Sequence, residues 1–203
     1  MNWYKLAKQE QDEMITDEMR NWFDQRTNKH IELVKKYAKK IAQYDPERFG
    51  DLVNILTDHD QSKFEEPEYT PYIWITWKYK LEADGKDGKD GKKFEPSEKL
   101  QKEMTEATDH HVKNNEHHPE YWDPGKNKKT LINSENRDKA ADKIDARKMP
   151  LLAITEMVAD WCSVSDERGN SPKSWADKNV NTRWQFNDEA VELIYELIGA
   201  IWK

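Results

Sequence analysis

The stretch that organises this chain is Asp17–Gln43, DEMRNWFDQRTNKHIELVKKYAKKIAQ. One set of positions in it recurs at steps of three, four or seven residues: Phe23, His30, Val34, Ala38 and Ile41. This spacing predicts a single amphipathic helix, and Asp45-Pro46 ends it because the residue before a proline disfavours helical conformation. His30 lies on the apolar face of this helix, so a titratable side chain is expected inside the fold.

Similar sets of apolar residues at helical spacing, here called stripes, predict four further helices. No segment predicts a convincing sheet, so the expected fold class is all-α. A helix from about Pro46 to Asp58 is expected to carry His59 and Asp60 on its apolar face. The other three are expected to begin at Ser97 as an N-cap, at Met149-Pro150 and at Asn187 as an N-cap. The aromatic segment Tyr69–Tyr79 fits either a short helix or an extended strand.

The helices are expected to form one domain over residues 1–203, with its core at about 17–202. Residues 84–93 repeat Asp-Gly-Lys, which is typical of a turn-rich exposed loop. Exposed loops are therefore expected at about 82–96 and 123–147. A length of 203 residues is enough for one sizeable hydrophobic core.

Composition narrows the class of function. Charged residues make up 36% of the chain, and no apolar run approaches the roughly 20 residues of a membrane span. Cys162 is the single cysteine and the N-terminal residues lack a secretory signal, so a cytoplasmic location is expected. The net charge of −7 argues against binding of long nucleic acid and suits a small anionic substrate held through a metal.

The histidines are the strongest functional signal. The chain has six: His30, His59, His110, His111, His117 and His118. Imidazole and carboxylate are ligands for zinc, manganese or iron, and Asp60 and Asp160 lie on the same stripes. The stripes select His111 over His110, whereas both His117 and His118 stay candidates because Pro119 can end the helix early. The predicted metal ligands are therefore His30, His59, Asp60, His111, His117, His118 and Asp160.

Each member of this set also has an ordinary explanation. A lone His30 on an apolar face is commonly a hydrogen-bonded core histidine, and paired histidines occur on surfaces. All of these explanations would have to hold together, whereas side chains that converge inside a helical bundle form a metal site in one step.

These residues resemble the HD superfamily of metal-dependent phosphohydrolases. Its hallmark is a histidine, an adjacent His-Asp pair and a later aspartate, matched here by His30, His59-Asp60 and Asp160. The resemblance implies an HD-type helical bundle with one or two divalent ions, which Mn, Ni, Co, Zn, Mg or Fe would each satisfy. The segment from His59 to Phe64 is similar to the family's His-Asp-x-x-Lys form, which implies that Lys63 lies near the phosphate.

More narrowly, roughly residues 28 to 200 resemble the DUF5662 family, which is associated with phages and bacteria and has no assigned reaction. The matching segments are His59-Asp60-x-Ser62-Lys63-Phe64, His110-His111, His117-His118-Pro119-Glu120-Tyr121-Trp122, Met149-Pro150, Glu156-Met157-Val158-x-Asp160-Trp161 and Gly169-Asn170. The His-His-Pro-Glu segment also resembles the His-His-Glu of cyclic-dinucleotide phosphodiesterases, but the Gly-Tyr-Pro element that follows it there is missing. That substrate is therefore not expected.

The expected function is hydrolysis of a nucleotide or a similar small phosphoester by metal-activated water. Asp60, Lys63 and Glu156 are the expected catalytic residues, with Glu156 placing a water or orienting a ligand histidine. The expected substrate contacts are Lys63, Tyr121, Trp122, Arg168 and Asn170, with Trp161 as a further aromatic candidate. A di-iron oxygenase on the same scaffold and a non-catalytic nucleotide-binding protein are the alternatives, and a homo-oligomer stays open.

Overall fold

A computed structural model describes residues 14–85, 94–125 and 143–202. Its longer helices are α1 (Asp17–Tyr44), α4 (Tyr69–Ala83), α5 (Glu98–Asn114), α7 (Leu151–Arg168), α8 (Pro172–Asn179) and α9 (Asp188–Ile201). Shorter helices are α2 (Pro46–Phe49), α3 (Leu52–Ile55) and α6 (Pro119–Trp122), with 3₁₀ turns at Leu56–Asp58 and Gln61–Phe64. The all-α prediction is confirmed.

Helix α1 is the axis of the fold. The side chain of Thr16 caps its N-terminus by accepting a hydrogen bond from the Met19 N–H, and the backbone N–H of Asp45 closes its end. Its buried face contains the predicted stripe of Phe23, His30, Val34, Ala38 and Ile41. The boundaries confirm the prediction to within one residue because the capping signals lie at both ends.

Two clusters of buried side chains form the core. The larger one joins the second half of α1 with α7, α8 and α9, and the smaller one joins the start of α1 with α4 and α5. His30 lies on α1 between the residues that contribute to these clusters. The interior polar site is thus enclosed by apolar packing from both directions.

The second predicted helix is wrong from Pro46 to Asp60. The segment breaks into α2, α3 and two 3₁₀ turns, and Asp60 has a left-handed backbone with φ 60°. Successive residues of an α-helix point about 100° apart, so one helical face cannot present two adjacent side chains to the same site. The turn instead buries both His59 and Asp60, at 3% and 1% exposure.

The secondary structure of three other segments either differs from the prediction or decides between two predicted alternatives. Tyr69–Tyr79 is helical as part of α4, and α5 ends at Asn114, so His117 and His118 lie beyond it. A parallel pair of two-residue strands, β1 (Ile144–Asp145) and β2 (Trp184–Gln185), adds a small sheet that the pattern did not indicate. The expected loops lie largely outside the described residues, which omit 86–93 and 126–142.

Among the described helices, none has the length and apolar character to cross a membrane.

Candidate metal centre

Asp60 lies among the histidines, and each of its two carboxylate oxygens faces a different pair of them. Its Oδ2 atom is 3.3 Å from His30 Nε2 and 3.7 Å from His59 Nε2. Its Oδ1 atom is 3.2 Å from His111 Nε2 and 3.7 Å from His117 Nε2. The side chain therefore joins two groups of potential ligands.

The first group, here called the helix-held group, consists of His30, His59 and Asp160. Their ligand atoms lie within 4.8 Å of one another. His30 Nε2 is 3.0 Å from Asp160 Oδ1, and His59 Nε2 is 4.0 Å from the same oxygen. Helices α1 and α7 supply two of the three side chains.

The second group, here called the loop-held group, consists of His111, His117 and His118. Their ligand atoms also lie within 4.8 Å of one another. His111 belongs to the last turn of α5, whereas the other two lie between α5 and α6. The other six predicted ligands are thus brought together around Asp60.

Three side chains around these groups fix the orientation of the imidazoles. Glu156 Oε1 lies 2.8 Å from His59 Nδ1 and 3.3 Å from His117 Nδ1. Glu68 Oε2 lies 2.8 Å from His111 Nδ1. Hydrogen bonds of this kind hold the other ring nitrogen of a histidine toward a metal.

His30 has the third of these partners. Ser163 Oγ donates to the Asp160 carbonyl at 2.8 Å, so its lone pairs accept from His30 Nδ1 at 3.1 Å. Four Nδ1 atoms are thus occupied by outer partners, and the four Nε2 atoms face Asp60 or its neighbours.

The carboxylates stay ionised despite their burial. Burial alone raises the pKa of Asp60, but Lys63, whose Nζ is 2.5 Å from Oδ2, and His59 hold that pKa well below its usual range. Burial also raises the pKa of Glu156, and the hydrogen bonds from His117 and His59 lower it to about 2. Ionised carboxylates only accept hydrogen bonds, which assigns the Nδ1 protons to the histidines that face them.

The two groups differ in the protonation of their imidazoles. Burial lowers the pKa of His30, but Asp160 and Asp60 outweigh it and raise the pKa to about 9. Burial lowers the pKa of His117, with His59 adding to the effect. It also lowers the pKa of His118 strongly, with His117 and His111 adding to the effect.

The residues fit bound divalent ions. Four buried atoms at the centre have no hydrogen-bond partner among the described residues: His59 Nε2, Asp60 Oδ1, His111 Nε2 and His118 Nε2. Buried polar atoms without partners are costly, and metal coordination is one way to satisfy them. Nitrogen and carboxylate donors at this density suit zinc, manganese, iron, cobalt or nickel.

Two residues of the centre were not predicted from the sequence. Glu68 is fully buried and accepts from His111 and from His110 Nδ1 at 2.8 Å, so His110 contacts the centre only through Glu68. Ser163 is also fully buried. The one sequence signal for Glu68 was its place directly before the aromatic segment Tyr69–Tyr79, and Ser163 had none.

A cavity of about 420 Å³ opens beside the centre and includes His118 and Asp160 in its wall. Arg168, Asn170 and Trp161, which were predicted as substrate contacts or candidates, also line it. Tyr121 and Trp122 do not line this cavity, and the Trp122 indole N–H donates to the Glu116 carbonyl at 2.8 Å. Lys63 lies at Asp60 instead, with its ammonium group 5.2 Å from the centre of the Tyr72 ring.

The structure therefore shows a mostly helical protein with a candidate metal centre. Comparison with family models places it more narrowly: the chain belongs to the DUF5662 family, a family of unknown function, whose model matches residues 19–200. No curated protein and no solved structure matches the chain.

Proposed function

We propose that this protein is a metal-dependent phosphohydrolase of the HD type that acts on a nucleotide or a related small phosphoester. The observation that carries the proposal is the position of Asp60 between two groups of histidines, with one carboxylate oxygen toward each. A carboxylate in that position suits a pair of ions. Paired ions recur in enzymes that hydrolyse phosphoesters.

His30, His59 and Asp160 would hold one ion, and His111, His117 and His118 the other, with Asp60 shared. Bound ions of this kind lower the pKa of water and neutralise phosphate oxygens. In the net reaction a water oxygen forms the new bond to phosphorus, the P–O ester bond breaks, and the departing alkoxide takes up a proton given up by that water to leave as the alcohol.

Lys63 and Glu156 have separate roles in the proposal. The Lys63 ammonium lies beside Asp60 and is 16% exposed, so it can contact an anionic phosphate without leaving the centre. Glu156 accepts from one histidine of each group and therefore acts as a positioning residue that keeps both Nε2 atoms turned inward.

The substrate is proposed to be small. The cavity volume of about 420 Å³ lies in the usual range of roughly 300–1,000 Å³ for small-molecule sites. The net charge of −7 disfavours a long nucleic acid unless a basic face compensates for it. A cytoplasmic location goes with this proposal, because the chain's single cysteine is buried and needs no oxidising compartment.

The test compares Asp60→Asn with Asp58→Asn. Asp58 is an exposed neighbour two residues earlier in the chain, so its substitution is a matched loss of one carboxylate. Purified chains are loaded with Mn²⁺ or Co²⁺, their metal content is measured by mass spectrometry, and they are assayed against nucleoside mono- and triphosphates. Asp60→Asn is expected to lose activity and most of the metal, whereas Asp58→Asn keeps both.

Two results would contradict the proposal. Full activity in Asp60→Asn would show that the centre is not the catalytic site. Two bound irons with consumption of oxygen, and no release of phosphate, would identify an oxygenase instead.

A further inference from the structure

Three tryptophans form one wall of the cavity beside the centre. Trp161 follows Asp160 in the chain and stacks on Trp184, with ring centres 5.6 Å apart and planes 19° apart. Trp184 in turn contacts Trp175 edge to face, with ring centres 6.2 Å apart. The wall therefore starts next to a proposed metal ligand and extends away from it along α8.

Exposure changes along this wall. Trp161 and Trp184 are buried at 7% and 4% exposure, whereas Trp175 is 38% exposed. Large apolar side chains exposed at a cavity are common contacts for a ligand ring. The exposed indole is thus the last ring of the row that begins at Trp161.

Glu120, which also lines the cavity, holds the wall in place. It is 3% exposed, and its Oε1 atom accepts from the Trp184 indole N–H and from Arg183 Nη2, each at 3.0 Å. The middle tryptophan is therefore held in one orientation by a buried hydrogen bond to a carboxylate. A wall held in place in advance loses little entropy when a ligand binds.

Polar and basic groups complete the cavity. Arg168 and Lys178 line it together with Asn170 and Ser174, and His118 and Asp160 mark the end nearest the metal centre. Cationic side chains at the mouth of a cavity attract an anionic ligand, even in a chain with a net negative charge. The amide and hydroxyl groups in this lining suit the hydroxyls of a sugar.

Resting on the phosphohydrolase function above, we propose that Trp175 is a specificity-determining residue. Its indole binds the aromatic ring of a nucleoside monophosphate whose phosphate points toward Asp160 and His118. The cavity then distinguishes a phosphoester with an aromatic base from one with the sugar alone. This role replaces the stacking expected for Tyr121 and Trp122, which lie outside the cavity lining.

The experiment measures kinetics and binding for the wild type, Trp175→Ala and Trp175→Phe. Kinetic constants are determined with adenosine 5′-monophosphate and with ribose 5-phosphate on the Mn²⁺-loaded chain. Binding of adenosine, which has no phosphate to hydrolyse, is measured by calorimetry on the same preparations. Because Trp175 is partly exposed, both variants are expected to fold, and a melting curve checks this.

Trp175→Ala is expected to raise KM for adenosine 5′-monophosphate and weaken adenosine binding by about 5- to 100-fold, the usual effect of losing one base stack. Constants for ribose 5-phosphate stay unchanged, and Trp175→Phe recovers most of the loss because it keeps a ring. An equal loss on ribose 5-phosphate, no loss on the nucleotide, or no adenosine binding by the wild type would overturn the proposal.

The two proposals fail in different ways. If the wild type hydrolyses neither phosphoester, the phosphohydrolase function is wrong, and the adenosine titration still decides whether Trp175 binds a ring. If ribose 5-phosphate is hydrolysed but Trp175→Ala changes nothing with adenosine or its monophosphate, only the role of Trp175 is wrong.

Discussion

The helix-held and loop-held groups meet at Asp60 and both contain imidazoles, but the pKa values of their histidines are shifted in opposite directions. In the helix-held group, Asp160 and Asp60 overcome burial and keep His30 protonated up to a pKa of about 9. In the loop-held group, burial and neighbouring imidazoles lower the pKa of His117 and His118, so these rings are already neutral. An ion entering the first group must displace a proton, whereas an ion entering the second need not.

The supports of the two groups differ as well. His30 and Asp160 project from helices of 28 and 18 residues that pack on each other. His117 and His118 lie on a four-residue connection before the short helix α6. Both groups border the cavity, through His118 and through Asp160, so the difference lies in the supports. We therefore expect the loop-held ion to exchange more readily and the helix-held ion to be the more permanent one.

The largest effect should come from removing one ligand of each group in turn. His30→Ala and His118→Ala are each expected to reduce the bound metal from about two ions per chain to about one and to suppress phosphoester hydrolysis. Metal content is measured by mass spectrometry after dialysis. If either variant loses both ions, the groups are not separate sites and the comparison fails.

A smaller effect is expected from pH, and the same two variants isolate it. In His118→Ala the remaining helix-held ion must displace the His30 proton, so its affinity should rise about tenfold per pH unit as pH increases toward 9. In His30→Ala the loop-held ion should show little pH dependence above 6.5, because its lowered-pKa histidines are already neutral there. Titration with Mn²⁺ at several pH values separates the two slopes, and equal slopes would refute the opposite pKa shifts of the histidines.

The metal-free chain should show the matching stability change. The pKa of His30 is raised above its ordinary value of 6.5, so His30 contributes stability that is present below pH 6.5 and lost as pH rises through about 9. The lowered pKa values of His117 and His118 act in the other direction, because protonation below pH 6.5 favours the unfolded chain. Unfolding in urea at several pH values, with chelator present, measures both trends.

The smallest effect is expected from the outer hydrogen bonds. Glu68→Gln and Ser163→Ala should weaken the loop-held and helix-held ions respectively by about 10- to 100-fold without changing the stoichiometry at saturating metal. Glu68→Gln should have the greater effect of the two, because its carboxylate accepts from both His110 and His111. Competition with a metal indicator measures the change, and Glu65→Gln is an exposed control. A loss confined to the opposite group would show that these side chains do not act through their own histidines.

The sequence predicted those parts of the site that follow from local periodicity. His30 and His111 were selected because a helical stripe extends through each, and both stripes are helical in the structure. Ser97 and Asn187 were correct N-caps because a capping side chain binds a backbone N–H three residues away. Helical periodicity and capping depend only on residues that are close together in the sequence.

The remaining parts depend on contacts between distant segments. Asp60 adopts a left-handed backbone and is buried together with His59, whereas the apolar stripe before it predicted a continuous helix. Glu68 acts on His111 across 43 positions and Ser163 on His30 across 133 positions. Trp175 was missed for the same reason, since its partner Trp184 comes from a different element. Periodicity within a helix carries no information about such pairs.

The hydrogen bond between Ser163 and His30 has a consequence for folding. Its residues are 133 positions apart, so it forms only when a very long loop has closed and α1 and α7 have packed. Until then His30, His59 and Asp160 lie far apart along the chain, and the helix-held group does not exist as a set. The centre is thus a late product of folding, and an ion that binds it stabilises the finished topology over every partly folded chain.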